Sequence, residues 1–353
     1  MSRPEVKYVK YSPDYKDAIL LLLRYMWRDM DDNERQLKFD WRYEKNPYHE
    51  PYIYLAMDGE KIIAFRAFIA QVFIFREKMY TVFSPSDTIV HPDYRRMGIM
   101  SRLNDIAIDE IYKENETNDT FLLNTTTSKK SMPVYIKEHW QGTNILKHFY
   151  YRIYPLHLFF NRSKAIRQQS DIATGHFPKK GHEIVISKKI TGEELSVFIA
   201  KNRNNQLLTN IRDKAFYDWK YEYQADKYTL ILCKKDNEIL AYAITKYLSR
   251  GKYSLEEYVT TDRKAFQIML KEAQKRMKFS VLRSWALYKA DKTLLNKCGF
   301  FPEPARLLDK IGEKRFPILV RPIVPIPSER DFFLEKADIR KIENWHLQIA
   351  DRH

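Results

Sequence analysis

A chain of 353 residues with 44% hydrophobic side chains is too long for one average domain and too apolar to be disordered, so two cores are expected. Its net charge of +15 attracts anions, yet the basic residues are spread along the chain without a zinc-finger, RNA-recognition or KH signature, which disfavours nucleic acid as the partner. The two cysteines, Cys233 and Cys298, lack partners at ligand spacing, so neither a disulfide framework nor a zinc site is expected, and no apolar run suits a signal peptide or membrane span; a reduced, cytoplasmic setting is the expectation.

In chain order, Val6 to Lys10 reads as a strand and Tyr15 to Trp27 as an amphipathic helix introduced by Ser12-Pro13-Asp14. Glu34 to Tyr43 reads as a second helix, stopped by Asn46-Pro47. Tyr52 to Met57 and Lys61 to Phe75 then form strands joined at Asp58-Gly59, a strong hairpin signal. Asp87 to His91 is a further strand, ended by Pro92. The turn Tyr94 to Gly98 carries two arginines and a glycine, and Met100, Leu103, Ala107 and Ile111 follow at helical spacing. A helix N-terminus preceded by such a turn favours a pyrophosphate: its N–H groups are unpaired, its dipole is positive, Gly98 admits close approach and an arginine adds charge. On spacing alone, an ordinary strand-turn-helix with surface arginines stays open. Downstream, Phe121 to Thr125 reads as a strand and Ser128 to Trp140 as a helix, with Ser131 as N-cap and Pro133 in the first turn.

The run Ser86 to Leu103 resembles the acyl-CoA signature of the GNAT superfamily of N-acyltransferases, in which Arg or Gln, two residues, Gly, one residue, and Gly or Ala map to Arg95, Gly98 and Met100. Met100 departs from the small residue usual there, and the Arg-Arg-x-Gly-Ile-Met form resembles the enhanced-intracellular-survival type branch. Val134 to Trp140 is similar to the family's Leu-Tyr-Glu-Lys-x-Gly-Phe ending. The resemblance implies backbone amides of Ile89 and Val90 on the pantetheine and Arg95, Arg96, Met97, Gly98, Ile99 and Met100 around the diphosphate. It also implies Ser128 and Ser131 on the cofactor side and Tyr135 as proton donor to the departing CoA thiolate. Among 24 tyrosines most pack in cores, so position and not residue type singles out Tyr135. Asp87 is the nearest carboxylate in sequence for a general base, its other reading being a sheet-edge or substrate-anchoring acid.

An internal repeat organises the rest: Phe39-Asp40-Trp41-Arg42-Tyr43-Glu44 recurs as Tyr217-Asp218-Trp219-Lys220-Tyr221-Glu222. Ala64 follows Trp41 by 23 residues and Ala241 follows Trp219 by 22, with Asp236-Asn237 in the place of the Asp58-Gly59 turn. The second copy lacks the Arg-x-x-Gly turn and has Leu295 where Tyr135 stands. The expected fold is α+β: two tandem GNAT-like domains, each a mixed, mostly antiparallel sheet flanked by helices. The expected boundaries are 1–160 for a catalytic domain, 161–182 for a linker, 183–325 for a degenerate non-catalytic domain and 326–353 for a tail helix. The branch resemblance offers a tail carboxylate near Glu343 to Asp351 as a site group, against a plain docked amphipathic tail.

No Gly-x-Ser-x-Gly elbow and no phosphate-binding Gly-x-x-x-x-Gly-Lys-Ser/Thr loop occurs, and the nine histidines sit singly. The resemblance therefore implies an acetyl-CoA-dependent N-acetyltransferase without a metal, acting by direct attack of a small primary amine, an anionic amine or amino sugar being one class. Its alternatives are a non-catalytic tandem module binding acyl-CoA or nucleic acid, and an aminoacyl-tRNA-dependent transferase on the same scaffold.

Overall fold

The computed structural model describes residues 5–115, 119–128, 131–146, 149–156, 172–303 and 317–352. The chain divides into two units, of which the first comprises 1–145 with 316–344 and the second 146–315 with 345–352.

In the first unit the opening strand, Val6–Lys10 (β1), pairs antiparallel with Tyr52–Asp58 (β2). Between them lie helices Lys16–Leu23 (α1) and Asp32–Phe39 (α2), the second capped by Asp31, whose carboxylate accepts from the Glu34 amide at 2.8 Å. Both stop short of the sequence expectation. After α2 the chain widens into a π turn over Asp40–Glu44, the segment that is repeated later in the chain. Strands Lys61–Phe75 (β3) and Lys78–Val90 (β4) form a long hairpin, its turn made by Arg76 and Glu77 at φ 47° and 68°. Helix Ile99–Glu114 (α3), strand Thr120–Asn124 (β5), the short helix Met132–Lys137 (α4) and strand Gln141–Leu146 (β6) follow. Alternation along the strands sends Phe65, Ala67 and Ile69 to a core with Ile19, Leu23 and Phe39 on one face, and Ala64, Phe68 and Ala70 to a core with Leu103, Ala107 and Tyr135 on the other.

The second unit carries strands Phe149–Ile153 (β7), Gly175–Lys179 (β8) and His182–Ser187 (β9), then helix Gly192–Asn202 (α5) and strand Leu208–Asn210 (β10). Helix Lys214–Lys220 (α6) carries the first four residues of the repeated motif and leads to Tyr228–Lys235 (β11), Glu238–Ser249 (β12) and Lys252–Thr260 (β13). Helix Arg263–Met277 (α7), strand Val281–Trp285 (β14), helix Lys289–Lys297 (α8) and the short strand Phe301–Pro302 (β15) complete it. Asp236 and Asn237 make the β11–β12 turn at φ 51° and 65°, in the place of Asp58-Gly59. Each unit is thus built on a mostly antiparallel sheet flanked by helices; the parallel pairs are β4 with β5 in the first unit, and β13 with β14 and β10 with Trp345–His346 in the second.

The expected domain boundaries miss an exchange of strands. The last long strand, Pro317–Pro322 (β16), lies in the first sheet, ordered β1-β2-β3-β4-β5-β16-β6, while β7 lies in the second, ordered β15-β7-β14-β13-β12-β11-β9-β8. β16 runs antiparallel to β5 as β7 runs antiparallel to β14, so the two are counterparts, and each follows in sequence the sheet it does not join. The first half of the expected linker, 161–171, lies outside the described residues, and its later part forms β8. No tail helix forms among the described residues of 326–353. That stretch instead holds 3-10 turns at Glu329–Phe332, Ile342–Asn344 and Ile349–Asp351 and two-residue strands, the last being Trp345–His346 (β19, after Phe333–Leu334, β17, and Ala337–Asp338, β18).

Candidate active site

The site is built by a strand that loses its neighbour. β4 pairs with β5 only from Thr81–Thr120 to Phe83–Leu122, and beyond that its edge runs free on the β5 side. On the β3 side the register slips between Arg66 and Ala67, which face Thr88 and Ser86, so Asp87 is the extra residue of a β-bulge. The His91 amide donates to the Ile63 carbonyl at 2.7 Å. Because peptide groups alternate along a strand, those of Ile89 then face β3, and those of Thr88 and Val90 face the open edge. Of the two amides expected on a pantetheine arm, that of Val90 faces the open edge and that of Ile89 faces β3; Thr88 also faces the open edge. The Val90 carbonyl accepts from Arg95 Nε at 3.3 Å, which ties the strand to the following turn.

That turn has the form of an anion cradle. A 3-10 turn at Pro92–Tyr94 is followed by Arg96 at φ 66° and Gly98 at φ 76°, after which α3 begins at Ile99. No side chain caps α3, so its first amides are left to an outside acceptor at the positive end of a 16-residue helix. Arg95, Arg96, Met97 and Gly98 are exposed, Ile99 is buried beneath them, and Met100 packs partly into the core, which explains why a large residue is tolerated at that position. Ser131 occupies the position before α4 without capping it. Its hydroxyl instead meets that of Ser128 at 3.0 Å, and each residue's amide donates to the other's hydroxyl.

Tyr135, on α4, is 4% exposed and packs edge-on against Trp140 with ring centroids 5.1 Å apart. Its hydroxyl accepts a hydrogen bond from Arg66 Nη2 at 3.0 Å, and Arg66 Nη1 donates to Thr88 Oγ1. The guanidinium therefore spans the gap between the free end of β4 and the α4 helix. Asp87 faces the other side of the sheet, where Arg42 Nη1 donates to its carboxylate at 2.6 Å and the Tyr43 hydroxyl at 2.8 Å, both from the π turn. Burial would raise the Asp87 pKa, but the Arg42 charge and these hydrogen bonds outweigh it and hold the carboxyl below the usual range. The two expected catalytic residues are thus on opposite faces, with no hydrogen bond between them. Arg66 and Thr88 were not singled out from sequence, and Arg42 and Tyr43 only as members of the repeat, not as site residues. The available signal for Arg66 was a lone arginine inside the apolar run of β3.

The same region of the second unit is finished differently. β13 parts from β14 after Ser254–Arg283, leaving a free edge like that of β4. There the Gln348 side chain accepts from the Tyr258 amide at 3.0 Å and donates to the Tyr258 carbonyl at 2.8 Å, occupying both open backbone groups at the position matching Thr88. A cavity of about 400 Å3 remains, lined by Tyr258, Thr260, Tyr288, Asp291 and His346. Burial disfavours charge on His346, but Asp291 at 3.3 Å prevails and raises its pKa. Leu295 is fully buried in the core and brings no hydroxyl. No group of His, Cys, Asp and Glu suited to a metal ion occurs among the described residues. No helix among them is long and apolar enough to cross a membrane.

Residues 7–122 match the family model of the acetyltransferase (GNAT) domain. Among solved structures, the chain resembles a protein of unknown function from Enterococcus faecalis V583 described as a probable N-acyltransferase, at 12% identity over 91% of this chain and 73% of that one, TM-score 0.65. It also resembles a tandem GNAT protein from the clavulanic acid biosynthesis pathway, at 11% identity over 92% of this chain and 100% of that one, TM-score 0.55. Saccharomyces cerevisiae N-myristoyltransferase with bound myristoyl-CoA matches at 12% identity over 98% and 86%, TM-score 0.54. At these identities the likeness is one of fold. No curated protein sequence matches.

Proposed function

We propose, from the match of residues 7–122 to the acetyltransferase (GNAT) domain, that the chain moves an acetyl group from acetyl-CoA to a primary amine by direct attack. The observation that carries this reading is the free edge of β4 running into an uncapped α3 whose entry is made by Arg96 and Gly98 at positive φ. Val90 and Thr88 offer strand-type hydrogen bonds to an amide-bearing arm, the first amides of α3 receive a diphosphate, and Arg95 and Arg96 add charge to that end. Acetyl-CoA supplies an activated thioester. Tyr135, linked to Thr88 through Arg66, passes its phenolic proton to the leaving sulfur, while alignment of the amine supplies much of the remaining rate. Asp87, already neutralised by Arg42, serves as an anchor of the bulge, and the amine sheds its proton to water. The basic surface favours an anionic amine as acceptor, an amino sugar being one class.

Release of free thiol from acetyl-CoA is the test, with glucosamine 6-phosphate, glucosamine, lysine and spermidine as amine probes. Turnover above the rate without protein is expected. Tyr135→Phe is expected to lower kcat about 100-fold while the Kd for acetyl-CoA stays within a few-fold. Saturable acetyl-CoA binding with no turnover on any amine would instead favour a binding module.

A further inference from the structure

Arg66 is 1% exposed within an apolar strand, and its guanidinium lies over the Phe68 ring, 4.5 Å from its centroid. Two of its nitrogens donate to Thr88 and Tyr135, and Nε has no partner. Among the described residues no carboxylate stands within ion-pair distance of it. The other buried arginines differ: Arg35 meets Asp32, Arg212 meets Glu257 and Asp351 at 2.9 Å each, and Arg321 donates to three backbone carbonyls. The Glu138 carboxylate, hydrogen-bonded to Asn104, acts on Arg66 only at a distance. A buried cation without a contacting counter-charge is costly, and such a cost is most readily offset where negative charge arises during the reaction.

We propose that Arg66 is the positioning residue of Tyr135 and the fixed counter-charge for the anion that forms beside it, an inference that rests on the reading of Tyr135 as proton donor. By donating to the phenol oxygen, Arg66 occupies a lone pair and leaves the phenolic hydrogen free for transfer. In the transfer, the amine nitrogen bonds to the thioester carbon and the C–S bond breaks with its electron pair on sulfur. The phenolic proton passes to that sulfur, and the phenolate left behind is held by the guanidinium. The proton released by the amine restores the phenol through solvent, so charge and atoms balance.

The full-length chain carrying Arg66→Met is compared with wild type, Tyr135→Phe and the double variant, reading Tm, acetyl-CoA Kd by calorimetry and kcat with the best amine of the panel. Because Met fills similar space without a buried charge, Arg66→Met is expected to keep or raise Tm and to hold Kd within about 3-fold, while kcat falls about 100-fold. The double variant should be no more than about 3-fold slower than either single one, since both act on one proton transfer. Arg66→Lys, which keeps the charge but not the two-pronged reach, should fall between wild type and Arg66→Met. An unfolded Arg66→Met, an unchanged kcat, or losses that multiply in the double variant would each overturn the proposal. An inactive wild type would remove the transferase reading and this inference together, whereas an active wild type with a normal Arg66→Met removes only the inference.

Discussion

Asp87 and Glu257 occupy matching places, each three residues before the strand residue paired with an equivalent alanine, Val90 with Ala64 and Thr260 with Ala241. Each takes a hydroxyl from the repeated motif, Asp87 from Tyr43 and Glu257 from Tyr221, and each meets an arginine, Arg42 or Arg212. A carboxylate that recurs in the unit without Arg-x-x-Gly and without a counterpart of Tyr135 is explained by what it holds together. Removing one partner of such a buried pair strands the other, so Asp87→Asn is expected to cost about 3–5 kcal/mol, read as a lower Tm. The pKa of Asp87 is depressed on folding, so its contribution is present above the unfolded value near 3.9 and is lost as pH falls through the folded value. Acid titration below about pH 4 should therefore destabilise wild type more steeply than Asp87→Asn; parallel curves would argue against the anchoring role.

At the scale of elements, the strand-turn-helix from β4 to α3 was legible because its signals are local: Pro92 ends the strand, Gly98 turns the chain, and apolar residues recur along one helix face. Gly98 at φ 76° is the position where a side chain is resisted by the backbone, although space is open around it. Gly98→Val is expected to strain that turn by about 1–3 kcal/mol and to weaken acetyl-CoA binding at least 10-fold by calorimetry, with Tyr135 chemistry untouched. Unchanged affinity would remove the cradle from the argument. The repeated motif was equally readable, since both copies keep the tyrosine whose hydroxyl donates to the strand carboxylate, Tyr43 to Asp87 and Tyr221 to Glu257. Less readable were pairings made across long stretches of chain. Nothing near Leu122 or Arg321 announces that these two are partners, and Gln348 carries no sign that its amide will stand in for a strand. The role of Arg66 depends on Thr88 and Tyr135, 22 and 69 residues away.

For the molecule as a whole, duplication has produced two open strand ends of which only one is left accessible. The amide of Gln348 completes Tyr258, whereas the Thr88 backbone and the Val90 amide have no such stand-in among the described residues, Arg95 meeting only the Val90 carbonyl. Calorimetry should therefore find one acetyl-CoA per chain, and two sites of comparable affinity would show that the Gln348 segment yields to the ligand.

The placement of β16 also sets a timetable for biosynthesis. β5 ends at Asn124, but the strand that covers its outer edge ends at Pro322, about 200 residues later. At roughly 5–20 residues per second, the nascent chain leaves the ribosome with that edge bare for about 10–40 s. Over that interval Phe121, Leu122 and Leu123 are an invitation to wrong partners, so the newborn chain has the profile of a client for chaperones that shield unpaired strands until its distant partner emerges.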